Sequence, residues 1–153
     1  MRSWRIAIEE VALDRSCTGA KKSGGHWHHQ GVGALYSAMT AELAVLEKFV
    51  HLEEGQPALV LVAIDLPDAP ELGWDVPPNM LPRGWDELPA SVSAAAFGSA
   101  FLARGSHLYM KVPSTIIREG TNLVINPSHP AFDDVRLSIV RPFSFDPRMS
   151  KGR

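Results

Sequence analysis

Leu43, Leu46 and Val50 recur at the i, i+3, i+7 spacing of one helical face, within the stretch YSAMTAELAVLEKFVH from Tyr36 to His51. Glu47 lies four residues after Leu43 and three before Val50, on that same face. The pattern predicts a helix from about Thr40, with Glu42 in its first turn and His51 in its last, each complementing the helix dipole. Trp4 to Ile8 alternates and predicts an opening strand. Residues 16–33 carry Gly19, Gly24, Gly25, Gly31 and Gly33 and predict a loop or hairpin region. Ala34 to Tyr36 predicts a short strand leading into the helix. Ala58 to Leu66 is an almost unbroken apolar, β-rich run, as expected of a strand buried on both faces. After a long connector from Pro67 to Pro82, the Ala-rich run from Ser91 to Arg104 predicts a helix closed by Gly105. Leu108 to Val112, Asn122 to Asn126 and Val135 to Arg141 predict three more strands. Two helices and about six strands, with no internal repeat, give an α+β class built on a compact mixed or antiparallel sheet. Ser150 to Arg153 reads as a frayed tail.

Composition narrows this picture. A chain of 153 residues suits one domain spanning 1–153 with one sizeable core. A net charge of −2 and a pI near 6.3 give no global electrostatic case for nucleic acid or an anionic membrane. The single cysteine, Cys17, has no internal disulfide partner, which suits a reducing compartment. No apolar run reaches the length of a membrane span, and acidic residues interrupt the N-terminal stretch where a signal peptide would be apolar. The expectation is a cytoplasmic protein without a membrane segment. Twelve prolines, most in two clusters from Pro67 to Pro89 and Pro127 to Pro147, punctuate short strands and loops.

Glu47 is the first residue to explain, because a charge among core-facing residues must be paired, protonated or used. One reading pairs it with a nearby Arg or Lys. The other makes it a catalytic carboxylate tuned by apolar neighbours. His51, at i+4, can meet Glu47 and orient it, contact substrate, or act as a cation at the helix terminus. The segment GGHWHHQG, Gly24 to Gly31, places His26 and His28 on one face and Trp27 on the other if it is extended. No Cys, Asp or Glu joins His26, His28 and His29 at ligand spacing, so no metal is expected. A ligand pocket with close backbone approach and a hydrogen bond from His26 is the alternative to a plain surface loop. Ser114 follows Pro113 at a strand-to-loop corner and suits hydrogen bonding better than nucleophilic attack, since no G-x-S-x-G elbow is present. Asn122 and Asn126 bracket an apolar alternation and are expected to fix turns. Neither a Walker loop nor a dinucleotide fingerprint occurs.

The succession of GGHW, LYSAMTAELAVLEKFVHL, LPRGW, KVPSTIIREGTNLVINPSHPAF and PFSFDPRM resembles the RES-domain family, toxins of Xre-RES toxin–antitoxin pairs, over about residues 4–148. The resemblance implies an ADP-ribosyltransferase-like fold and NAD⁺ as substrate. It implies either transfer of ADP-ribose to a cellular protein, arresting growth, or destruction of NAD⁺ by hydrolysis or phosphorolysis. A multimeric complex with a DNA-binding, Xre-like antitoxin is implied as well. Carried over by motif position, Glu47, Tyr36 and His51 form the catalytic set. His26, Trp27, Tyr36, Ser114, Asn126 and Lys22 form the dinucleotide-binding set. The chain departs from the family pattern here: the arginine of the GGRW motif is His26, and the asparagine that commonly follows the tryptophan is His28. Histidine cannot grip a phosphate bidentately. Either His26 plays a weaker version of that role or Lys21, Lys22 or Arg15 supplies the charge, and transfer to a chosen acceptor is favoured over rapid NAD⁺ destruction. A catalytically inactive antitoxin-binding module is the reading from another class.

Overall fold

The computed structural model describes residues 1–55 and 57–151. β1 (Arg2–Ile8) is followed by α1 (Thr18–Ser23), β2 (Leu35–Ala38), α2 (Ala41–Phe49), β3 (Leu59–Asp65), β4 (Gly73–Asp75), α3 (Val92–Arg104), β5 (Tyr109–Pro113), β6 (Thr121–Ile125) and β7 (Arg136–Phe143). The strands form one sheet in the order β4-β5-β6-β2-β1-β3-β7. Only the β4–β5 pair is parallel. The chain therefore has the α+β class that its alternating patterns imply.

The join between β1 and β2 shapes the molecule. These strands share a single register pair, Trp4↔Ala38, whereas β1 and β3 run paired from Arg2↔Asp65 to Ile8↔Leu59. The sheet is thus two well-laddered halves held at one seam. Alternation along β1 sends Trp4, Ile6 and Ile8 to the face packed with Leu43, Ala44 and Leu46 of α2. Ala7 points to the other face, against Val60, Val62, Leu35 and Cys17. Beyond the seam, α3 covers β5 and β6 through Ala94, Phe101 and Leu102 packed on Met110, Val112 and Val124. β3 is buried from Leu59 to Ile64, which is why its sequence shows no alternation.

Local chemistry sets the helix ends. The Thr40 and Ser91 hydroxyls cap α2 and α3 by accepting from Leu43 N–H and Ala94 N–H, both at 3.2 Å. Gly105, at φ +65°, ends α3 in the left-handed region open to glycine.

Four expectations need correction. The 16–33 region holds the short helix α1, which its glycines masked. The 67–82 connector contains β4, too short to show a period. α2 ends at Phe49, and Val50 is 48% exposed, so the apolar stripe stops a turn earlier than its spacing suggests. Ser150 closes a 3-10 turn from Pro147 and donates to the Pro147 carbonyl at 3.1 Å instead of fraying; Gly152 and Arg153 lie outside the described residues. Among the described residues, no helix is long and apolar enough to cross a membrane.

Gly98 is where α3 meets the Trp27 main chain: a Cβ there would lie 1.7 Å from the Trp27 carbonyl oxygen. Replacing a mid-helix glycine by alanine ordinarily stabilises by about 1 kcal/mol. Here the sign inverts. Gly98→Ala is expected to destabilise by about 2 kcal/mol or more, read as a lower midpoint in urea unfolding.

Candidate active site

Glu47 sits in the last turn of α2, half-buried, facing the point where β5 ends and β6 begins. Its Oε1 accepts two hydrogen bonds, from Ser114 Oγ at 2.8 Å and from Asn122 Nδ2 at 2.7 Å. Oε2 takes no hydrogen bond among the described residues, and no cation there forms an ion pair with the carboxylate. The reading of Glu47 as half of an Arg or Lys ion pair is therefore set aside. Neutral donors fix one oxygen and leave the other free.

Ser114 is fully buried just beyond β5. Its Oγ accepts from Ile116 N–H at 3.0 Å and Ile117 N–H at 3.3 Å, while its one hydrogen goes to Glu47. That leaves nothing for nucleophilic attack. Asn122 was expected only to fix a turn. Its Oδ1 is buried without a hydrogen-bond partner among the described residues. The signal that could have found it is its position at the start of a strand, two residues before core-facing Val124 and on the same face.

His51 bonds elsewhere than expected. Its Nδ1–H donates at 2.9 Å to the main-chain carbonyl of Glu47, closing the helix end, while the carboxylate is held by Ser114 and Asn122. His51 does not orient the Glu47 side chain. Asn126 is a second correction. Its Nδ2 donates to the Leu102 carbonyl and its Oδ1 accepts from Ser128 N–H, both at 3.0 Å, so it is buried as the fastening of β6 to α3.

The Gly24–Gly31 segment is a turn closed by Gly25 N–H donating to the His28 carbonyl at 3.0 Å, and not the extended run that would align His26 with His28. His26 is half-buried against Trp27 and donates from Nε2 to the Trp85 carbonyl. Trp27 is 4% exposed and stacks on Trp85 at 6.2 Å. It packs as a core residue, between Trp85 and Phe97. Tyr36 leaves its ring edge half-buried and its hydroxyl enclosed by the turn, accepting from Trp27 N–H at 3.1 Å.

The expected source of positive charge also shifts. Arg15 lies over the Phe132 ring and spends its guanidinium on the Val135 and Phe132 carbonyls at 2.7 and 2.5 Å. Arg5, on central strand β1, makes no hydrogen bond or ion pair among the described residues. It lines a cavity of about 260 Å³ with Lys22, Cys17 and Leu35. Burial is the main influence on its pKa and lowers it, with weaker opposing attraction from Cys17 and Asp14. Arg5 could have been found in the sequence: it alternates with Trp4 and Ile6 beside a strand apolar on both faces, so its own face is also covered. A second, larger groove of about 630 Å³ passes Trp85, Arg118, Pro113 and Thr121, beside Ser114 and Asn122. Among the described residues, no three His, Cys, Asp or Glu side chains converge as a metal centre would need.

The RES domain model matches residues 2–146, and the chain belongs to the RES domain family. It is 41% identical over 152 residues to the Prs ADP-ribosylating toxin of Sphingobium sp. (strain YBL2), covering 95% of this chain and 94% of that one. It is 35% identical over 154 residues to the Toxin Res of Yersinia enterocolitica, covering 97% and 99%. Its fold is similar to a chain of the M. tuberculosis MbcT–MbcA toxin–antitoxin complex, with a TM-score of 0.68 at 19% identity, covering 97% and 85%.

Burial pushes the Tyr36 phenol well above the ordinary tyrosine range, and the Trp27 N–H offsets this only in part. Burial also raises Tyr109, the other tyrosine of the chain. An acid whose folded pKa exceeds its unfolded value, about 10, holds its proton better in the native state. Stability is then full below about pH 10 and falls as pH rises beyond it. Absorbance titration at 295 nm is expected to show phenolate forming at higher pH in the folded chain than in the unfolded one, with Tyr36 ionising only as the chain unfolds.

Proposed function

We propose that the chain is a toxin that cleaves NAD⁺ at the nicotinamide–ribose bond and transfers ADP-ribose to a cellular protein. The single observation that carries this reading is the Glu47 carboxylate, fixed through one oxygen by Ser114 and Asn122, with the other oxygen free and no cation neutralising it. Heterolysis sends the bonding electron pair to the nicotinamide nitrogen, which leaves as neutral nicotinamide. The ribose carbon becomes an oxocarbenium-like cation, the charge type met in glycoside hydrolysis. An anion already held in place stabilises that cation without reorganising, worth on the order of 3 kcal/mol. The acceptor then bonds the same carbon and gives up its proton.

Other residues fit supporting roles. The unpaired guanidinium of Arg5, with Lys22 at the same cavity, suits the dinucleotide's diphosphate and supplies the charge that His26 lacks. Tyr36 borders the nicotinamide side, with its phenol kept neutral by burial. The groove beside Ser114 and Asn122 is within the size range of ligand sites and gives the acceptor an approach. Transfer is preferred to hydrolysis because the Sphingobium relative bears the name of an ADP-ribosylating toxin. Similarity to a toxin of a toxin–antitoxin complex supports an antitoxin partner, which we take to be Xre-like, acting with this chain in the cytoplasm.

Glu47→Gln keeps size and both anchors' geometry while removing the charge. It is expected to lower NAD⁺ turnover and labelling of lysate proteins by about 100-fold or more, with the circular dichroism spectrum unchanged. Undiminished labelling would remove the mechanism. Free nicotinamide without labelled protein would instead point to hydrolysis, and neither product to an inactive binding module. Arg5→Gln is expected to raise the KM for NAD⁺ by about tenfold or more, as loss of charge-assisted hydrogen bonds requires.

A further inference from the structure

We infer that His28 is a positioning residue for the proposed reaction, one that fixes the Tyr36 hydroxyl and ties it to the wall of the Arg5–Lys22 cavity. The inference rests on the reading of Tyr36 and Arg5 given above. His28 is 2% exposed, and both ring nitrogens are engaged. Nε2 lies 2.9 Å from the Ala20 carbonyl, an acceptor only, so Nε2 carries the hydrogen. In the neutral ring Nδ1 is then a lone-pair acceptor. It lies 2.5 Å from the Tyr36 hydroxyl, which must donate to it. The same phenol oxygen accepts from Trp27 N–H. Each hydrogen in this chain therefore has one place to go.

The surroundings enforce the arrangement. A Cβ on Gly25 would come within 2.7 Å of His28 Cε1 and 2.9 Å of the Tyr36 oxygen, so glycine lets the turn close over both rings. Gly98 of α3 holds the Trp27 main chain from behind. At the other end of the imidazole, Ala20 belongs to α1 and lines the cavity that holds Arg5 and Lys22. One buried ring thus links the Tyr36 hydroxyl to the wall of that cavity. Ser114 and Asn122 fix the carboxylate, and His28 fixes the Tyr36 hydroxyl.

Asparagine and glutamine separate the two halves of this role. An asparagine oxygen falls near the Nδ1 position and can still accept from Tyr36, whereas a glutamine amide reaches the Nε2 position and can still donate to Ala20. The full-length chain is assayed for NAD⁺ turnover as His28→Leu, His28→Asn and His28→Gln, and with His28→Leu combined with Tyr36→Phe. His28→Leu is expected to lower kcat/KM by about tenfold or more, with His28→Asn recovering most of the loss and His28→Gln little of it. In the Tyr36→Phe background His28→Leu is expected to cost nothing further in kcat/KM, because the hydroxyl it positions is gone. Equal losses for all three single variants, or full additivity with Tyr36→Phe, would overturn the role. Imidazole ¹⁵N NMR of the wild-type chain at pH 7.5 reads the tautomer without any turnover. It is expected to show Nε2–H with a hydrogen-bonded Nδ1, and an Nδ1–H tautomer would overturn the inference even if the chain consumes no NAD⁺. An inactive wild-type with the expected tautomer would sink the proposed reaction and with it the positioning role, leaving only a structural clamp.

Discussion

The molecule is organised around a carboxylate that neutral donors hold. A guanidinium or ammonium beside Glu47 would cancel its charge and with it any use in steadying a cation. Ser114 and Asn122 do something different: they satisfy one oxygen without neutralising the group. That arrangement needs α2 to end above the β5–β6 turn, and the Thr40 cap and the packing of Leu43 and Ala44 put it there. It also needs Ser114 to be buried and aimed, which the two N–H groups of Ile116 and Ile117 achieve by filling its lone pairs.

The weak seam between β1 and β2 has the complementary role. A continuous ladder would close the sheet where Arg5 and Leu35 line their cavity. One register pair keeps the halves together while leaving that space. The α1 segment brings Lys22 to that cavity, and the Gly24–Gly31 turn encloses the Tyr36 hydroxyl.

Much of this was legible in the chain. The periods of β1, β3, α2 and α3 follow from burial on one face or two, and burial is what sequence records best. Glu47 stood out because it interrupts an apolar stripe, and Ser114 because it follows Pro113 at the end of a strand. What escaped was set by contacts distant in sequence. Asn122 and Asn126 look alike in the alternation, yet register alone puts the first against Glu47 and the second against the Leu102 carbonyl. Trp27 sits in a motif that suggests a ligand but stacks in the core. His51 has the i+4 spacing to meet Glu47, and its ring chose the open carbonyl at the helix end over an acid whose near oxygen was already taken. β4 is fixed by pairing with β5, which three residues cannot announce.

The contrast between the two polar centres bears on the medium around the protein. Hydrogen bonds from a hydroxyl and an amide are indifferent to dissolved ions, so the grip on the glutamate is the same in dilute and concentrated salt. An arginine half-buried at a cavity draws an anion in from solution through a field that mobile ions screen within about 8 Å at physiological ionic strength. Capture of an anionic molecule by this chain is therefore the salt-sensitive part of its chemistry, and the bond-breaking end is the part that salt leaves alone.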